Sequence, residues 1–213
     1  MDFRNAKELL KVCQEQGLSI SAVMLQRELT EGEQDPEETD RKMDRVLEIM
    51  KSAASTPIHP PVKSMGGLIG GEAKKISDHK DAGKGLCGDL LERAVIYAMA
   101  TLETNASMGV IVASPTAGSA GIVPGLLLAL QETYDLSDEQ IKQGLYNASA
   151  IGYLAMRNAT VAGAVGGCQA EVGIASAMAA SATVELMGGS PEQSLAAAST
   201  VLMNMLGLVC DPV

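Results

Sequence analysis

Aromatic side chains are almost missing from this sequence. It contains no tryptophan, one phenylalanine and four tyrosines in 213 residues, although 46% of the residues are hydrophobic. The core must therefore be built from alanine, leucine, valine, isoleucine and methionine. Small side chains, together with 22 glycines, allow helices to pack closely. A chain of this length forms one sizeable domain or two small ones with a real core.

Basic residues are also in short supply. The 16 lysines and arginines are outnumbered by 26 aspartates and glutamates, so the formal net charge is −10 and the isoelectric point lies near 4.7. Nucleic-acid affinity rests mainly on clustered basic side chains. Because no such cluster appears, the composition argues against a nucleic-acid partner.

Long apolar runs and a secretory signal are absent as well. The apolar stretches are interrupted well before the roughly 18 residues that a membrane-spanning helix needs. The first ten residues, MDFRNAKELL, form an amphipathic pattern unlike that of a signal peptide. We therefore expect a soluble, cytoplasmic protein with no membrane segment.

Periodicity predicts an all-α fold, a multi-helix single domain with glycine-rich loops and little or no sheet. The third helix has the clearest start, with Asp35 as cap, Pro36 at the first position and Glu38 to complete a capping box. Ser190 and Gln193 mark the last helix in the same way. The predicted helices span 5–16, 19–30, 36–54, 88–104, 121–132, 138–156, 168–187 and 191–206, and the segment 1–55 is assigned to the same domain.

Two segments between these helices have other patterns. Residues 64–85, SMGGLIGGEAKKISDHKDAGKG, are expected to form a long loop that serves as a lid, faces a substrate or merely connects two helices. Residues 109–114, GVIVAS, form the only run typical of a strand, although they could equally be buried connecting chain.

The segment SPTAGSAG, residues 114–121, is the first candidate site. Ser114, Thr116 and Ser119 provide hydroxyl groups, and the glycines allow backbone N–H groups to converge at the start of a helix. Such a start favours a carboxylate or a phosphate. A plain helix cap with a serine or threonine turn explains the same residues equally well.

The four cysteines form the second candidate. They show no short repeated spacing, so we expect them to be free, catalytic or metal-bound rather than paired in disulfides. Cys13 lies on an apolar helix face and is interpreted as core, whereas Cys87 is ambiguous. Cys168 and Cys210 flank breaks in the helices and could ligate iron, but two thiolates fall short of the three or four that iron–sulfur sites use. His59 and His79 lie in or beside loops and are not assigned a catalytic role.

Several long segments together resemble one family, the α subunit or catalytic α domain of bacterial iron–sulfur-dependent L-serine dehydratases. They cover most of residues 60–213, and the segment GLSISAVMLQRE near the amino terminus fits the same family. The resembling segments are SMGGLIGGEAKK, GDLLERAVIYAMATLETNASMGVIVASPTAGSAGIVPG, NASAIGYL, VGGCQAEVGIASAMAASA and MLGLVCDPV.

The resemblance implies a helical catalytic domain with a [4Fe-4S] cluster that converts L-serine to pyruvate and ammonia by elimination of water. It implies that Cys168 and Cys210 are cluster ligands and that a third ligand lies beyond Val213. We therefore expect a C-terminally truncated domain whose cluster is labile or absent. The resemblance also implies a β subunit or β domain that carries the catalytic base, in a homo- or hetero-oligomer.

The chemistry of these residues is consistent with that reading. An open iron would act as a Lewis acid on the serine hydroxyl, and the loop Ser114, Thr116, Ala117, Gly118 and Ser119 would hold the substrate carboxylate. Two alternatives remain open at this point. One is a related iron–sulfur enzyme that eliminates sulfide from L-cysteine, and the other is a helical interaction subunit without catalytic activity.

Overall fold

The computed structural model describes residues 2–32 and 35–209. In this part of the chain there are nine α-helices, one short 3-10 helix and no strand, which confirms the predicted all-α class. No helix in the described ranges is long and apolar enough to cross a membrane. The helices are α1 Ala6–Gln16, α2 Ile20–Glu31, α3 Pro36–Ser55, α4 Glu72–Asp81, α5 Asp89–Ala106, α6 Ile122–Tyr134, α7 Asp138–Asn158, α8 Gly163–Leu186 and α9 Pro191–Met205.

Eight of the nine helices correspond to predicted ones, and two of the predicted caps are present. Asp35 accepts a hydrogen bond from the backbone N–H of Glu38 at 2.9 Å. Ser190 and Gln193 form a complete capping box at the start of α9. Helix starts that carry their own capping side chains were therefore visible in the sequence.

One prediction between the helices was wrong, and for a second segment the structure decides between two alternatives that the sequence left open. The segment 64–85 is not one long loop, because α4 occupies Glu72–Asp81 within it. The run 109–114 forms no strand, since it leaves α5 as an extended connection in which Val110 is 70% exposed. A strand needs a partner for its backbone groups, and the described chain offers none there.

The chain divides into two compact units, each with its own core. The first comprises Met1–Asp44 and Glu139–Val213, and the second comprises Arg45–Asp138. The prediction of a single domain over 1–213 stays a prediction. The core of the first unit groups buried residues of the segment before α1 and of α1, α2 and α7: Phe3, Leu9, Cys13, Ile20, Val23, Met24, Tyr146 and Ala150. A core cluster of the second unit contains Ile58, Ala73, Ile96 and Ala100.

Glycine allows α5 and α6 to approach closely within the second unit. A Cβ atom at Gly121 would lie 2.5 Å from the carbonyl oxygen of Ala98, and one at Gly125 would lie 2.9 Å from that of Ala94. Any larger residue would therefore force the helices apart. This contact positions the start of α6, where the segment 114–121 ends.

Candidate functional site

The loop 114–119 has buried hydroxyl groups at both ends. Ser114 is 6% exposed, and its hydroxyl oxygen has no hydrogen-bond partner among the described residues. Ser119 is 1% exposed, and its Oγ lies 3.0 Å from Oγ1 of Thr116. Ala117 and Gly118 between them are exposed. The loop therefore combines inward-facing hydroxyls with accessible backbone directly before α6.

The end of α5 holds this loop in place. The side-chain amide of Asn105 donates to the carbonyl oxygen of Ala117 at 3.3 Å. At the other end of the loop, the N–H of Ile122 donates to the carbonyl oxygen of Ser119 at 3.2 Å. The local turn was predicted from the sequence, whereas the contribution of Asn105 was not.

The glycine-rich segment before α4 is fixed by a second residue of α5. Gly71 precedes α4 with φ 93° and has no side chain to cap the helix. Glu103, which is 3% exposed, accepts instead from the N–H of Ala73 at 2.9 Å through Oε1. Its Oε2 is buried with no hydrogen-bond partner among the described residues. Glu103 thus supplies the cap of α4 from another helix.

Glu72 reinforces the same turn. Its carboxylate accepts from the N–H of Gly70 at 2.6 Å. This bond, together with the N–H of Glu72 itself, lowers the pKa of the Glu72 carboxyl. The glycine-rich loop therefore meets α4 and α5 through two carboxyl groups, of which the sequence pattern had indicated neither.

Cys168 lies at a break in α8. Gly167 has φ 77° and ψ 169°, which interrupt the helix, so Cys168 begins its regular part. The Cys168 side chain is half-buried, and the preceding Gly166 and Gly167 are exposed. A thiol in this position keeps part of its surface accessible at the start of a regular helix. Cys168 is not part of a disulfide.

Gln169 connects this turn to the end of α9. Its side-chain nitrogen donates to the carbonyl oxygen of Leu208 at 2.9 Å, and its side-chain oxygen accepts from the N–H of Gly207 at 2.9 Å. Closer to the middle of α8, a Cβ atom at Gly173 would lie 3.4 Å from Cβ of Met205, so the two helices pack tightly there. The backbone that leads toward position 210 is therefore attached to the residue next to Cys168.

The other cysteines differ in setting. Cys13 is 2% exposed within the core of the first unit, as predicted. Burial, and then the negative charges of Glu185 and Glu192, raise the pKa of its thiol to about 11. Cys87 is exposed in the second unit. Cys210, the second predicted iron ligand, lies outside the described residues.

One group of acidic side chains has the spacing of a metal site. Oxygen atoms of Asp40, Asp44 and Glu139 lie within 4.8 Å of one another. The ammonium group of Lys142 already occupies their centre, at 2.7, 2.8 and 2.7 Å from the three carboxylates. Burial lowers the pKa of Lys142, but the hydrogen bonds to these carboxylates raise it above its ordinary value overall. This group is therefore an ion-pair network that ties α3 to α7 within the first unit.

The predicted residues fall in both compact units. Ser114, Thr116, Ala117, Gly118 and Ser119 share one loop of the second unit, whereas Cys168 belongs to the first unit. His59 lines a groove of about 240 Å³ in the second unit with Lys80 and Tyr97, and His79 is exposed on α4. The assignments of substrate-binding and iron-ligating residues stay predictions.

Comparison with known proteins gives consistent matches over almost the whole chain. The family model described as serine dehydratase alpha chain matches residues 15–213. A probable L-serine dehydratase, alpha chain, of Bacillus subtilis is 48% identical over 211 residues, which are 99% of this chain and 70% of that protein. The L-serine dehydratase, alpha chain, of Peptoniphilus asaccharolyticus is 43% identical over 99% of this chain and 72% of its own length. An L-serine dehydratase of Streptomyces coelicolor is 38% identical over 99% of this chain and 46% of its own length.

Proposed function

We propose a function on one premise: this chain belongs to the serine dehydratase alpha-chain family. In this proposal it is the α chain of an L-serine dehydratase, an ammonia-lyase that converts L-serine to pyruvate and ammonia. The observation that carries the proposal is the 48% identity with an alpha chain of that name along 99% of the sequence. Since relatives are named as alpha chains, we include a β chain as the partner.

The proposal assigns a [4Fe-4S] cluster to Cys168 and Cys210, with a third thiolate from outside the 213 residues. The donor chemistry supports this, because thiolates are the usual ligands of such clusters. Cys168 stands at a helix start beside exposed glycines, and Gln169 attaches the backbone at positions 207–208 to the same turn. When bound, a cluster with one open iron supplies a Lewis acid for the hydroxyl group of serine.

The loop 114–119 is proposed to bind the carboxylate of L-serine. The start of α6 carries a partial positive charge, and backbone N–H groups there suit an anion. The unpartnered hydroxyl of Ser114 and the paired hydroxyls of Thr116 and Ser119 provide further donors, while Asn105 keeps the loop in place. These residues bind and orient the substrate, and the base that removes the Cα proton is assigned to the β chain.

Anaerobic reconstitution of the full-length gene product with iron and sulfide, in the presence of the β chain, tests the proposal. We expect visible cluster absorbance and pyruvate release from L-serine. Replacing Cys168 by serine should abolish the absorbance and reduce pyruvate formation by about 100-fold or more, because the Lewis acid contributes several kcal/mol. Cys87→Ser is the matched control, since it makes the same change at an exposed thiol and should keep both properties.

Three results would contradict the proposal. Faster release of pyruvate from L-cysteine than from L-serine would identify a desulfhydrase instead. No cluster and no pyruvate from any variant would identify a non-catalytic helical subunit. Full activity of Cys168→Ser would remove this thiol from the chemistry.

A further inference from the structure

We infer that Gln169 is a positioning residue, which anchors the chain after α9 beside Cys168. The inference rests on the proposed function, because it gives the anchored segment a purpose in holding the two cysteine ligands. In this inference Gln169 contacts neither the iron nor the substrate. It acts by holding the backbone at positions 207 and 208.

The two hydrogen bonds of Gln169 form a matched pair. Its oxygen accepts from Gly207 and its nitrogen donates to Leu208, both at 2.9 Å. At neutral pH, where carboxyl groups are ionised, a primary amide is the side-chain group that offers a donor and an acceptor side by side in this way. Alanine would lose both bonds, and glutamate would keep only the acceptor. The contact therefore requires glutamine by its chemistry as well as by its length.

The backbone around this contact is shaped to meet it. Gly207 has φ 80°, a left-handed conformation that glycine adopts at low cost. This turn ends α9 and presents an N–H group and a carbonyl group in succession to the Gln169 side chain. The helix break at Gly167 places Gln169 in the first turn of the regular part of α8. The backbone conformations of Gly207 and Gly167 thus both contribute to the contact of Gln169.

A role limited to helix packing does not account for this placement. α8 and α9 already pack through Gly173 and Met205, while the Gln169 contact lies beyond the end of α9 and is exposed to solvent. An exposed pair of hydrogen bonds adds little to the free energy of unfolding. The pair adds a side-chain attachment beside Cys168 to a segment whose backbone bonds back to α9 are long: Leu206 donates to Met203 at 3.4 Å and Leu208 donates to Met205 at 3.5 Å.

The test measures thiol proximity in the metal-free full chain. Dibromobimane bridges two neighbouring thiols, each of which displaces one bromide, and it becomes fluorescent on double alkylation. With Cys87→Ser as background, we expect bridging of Cys168 and Cys210 to be about fivefold slower in Gln169→Ala, because both exposed hydrogen bonds, together worth about 1 kcal/mol, are lost. Gln169→Glu should be intermediate. Gln143→Ala, on the exposed side of α7, is the matched control and should react like the parent.

Two further readouts complete the test. Hydrogen exchange at the amide of Gly207 should become faster in Gln169→Ala, and the iron bound after limited reconstitution should fall. Unchanged bridging in Gln169→Ala would overturn the inference. Slower bridging in Gln169→Ala, with no iron uptake even by the full-length gene product, would support the anchor and contradict the cluster proposal, so the two ideas fail separately.

Discussion

Cys13, Cys87 and Cys168 carry the same functional group in three different settings. Cys13 is enclosed by the core and lies near two carboxylates, which raise its thiol pKa together with burial. Cys87 is exposed, and Cys168 stands half-buried at a helix start beside exposed glycines. Because a thiolate is the form that binds metal and attacks electrophiles, Cys13 is excluded from that chemistry by its setting.

The pKa of Cys13 predicts a loss of stability at alkaline pH. A buried thiol whose pKa rises from 9.0 to about 11 on folding holds its proton more tightly in the folded state. Its stabilising contribution is therefore complete below about pH 9 and is lost as the pH rises toward 11. We expect the thermal midpoint to fall more steeply over this range in the parent than in Cys13→Val, which fills the site without a titrating group.

Differential scanning fluorimetry from pH 8 to pH 11 with an extrinsic dye measures this difference. Tyrosine and lysine titration affects both proteins alike, so only the difference between the curves is informative. Parallel curves would show that Cys13 ionises as readily in the folded chain as in the unfolded chain.

Sequence patterns predict candidate site residues only where the signal is local. Cys168 was singled out by its adjacent glycines, and the hydroxyl loop by its composition before a helix. Gln169 and Glu103 were missed because their partners lie 38 to 39 and 30 positions away. The residues next to Gln169 and Glu103 in sequence do not indicate such a partner, because only the packing of two helices brings each side chain to its backbone partner.

At the level of elements, the difference between local and distant partners explains why α4 was not predicted. α3 and α9 carry capping side chains in their own sequence, and both were predicted. α4 begins after Gly71, which has no side chain, and takes its cap from Glu103 on α5. A helix whose start is stabilised from elsewhere looks like a glycine-rich loop in the sequence, and this is why residues 64–85 were misassigned.

The contact between α5 and α6 yields a second prediction. In an ordinary helix, replacing glycine by alanine stabilises by up to about 1 kcal/mol. At Gly125 the new methyl group would lie 2.9 Å from both the carbonyl oxygen of Ala94 and Cβ of Ala98, and such overpacking costs about 1 to 3 kcal/mol. We therefore expect Gly125→Ala to lower the free energy of unfolding by roughly 1 kcal/mol, measured by urea denaturation.

Gly66→Ala provides the matched control in the same unit. Nothing lies within 4 Å of a Cβ atom at Gly66, and its φ is not in the left-handed region. This variant should unfold at the same urea concentration as the parent, within error. A stabilised Gly125→Ala would show that α5 and α6 can separate without cost, and the close approach would then have no energetic meaning.

At the scale of the whole molecule, the positions of the histidines bear on which chain supplies the general base. The chain has only two histidines in 213 residues. His59 faces a groove beside Lys80 and Tyr97, and His79 is exposed on α4. Neither lies in the loop 114–119 or in the turn that carries Cys168. The proposed function, which assigns the base to the β chain, accordingly gives neither histidine of this chain a role in proton removal.

The assignment of the base to the β chain predicts the activity of a variant of this chain without histidine. In the complex with the β chain, His59→Gln combined with His79→Gln should form pyruvate from L-serine at a rate within about twofold of the parent, with the same pH profile. Loss of a true general base costs about 100- to 10,000-fold, so the two possibilities are well separated in a kcat measurement. Cys168→Ser, assayed in parallel, confirms that the assay responds to loss of the cluster. A drop of 100-fold or more in the double variant, at unchanged iron content, would place the base in this chain and reverse the assignment.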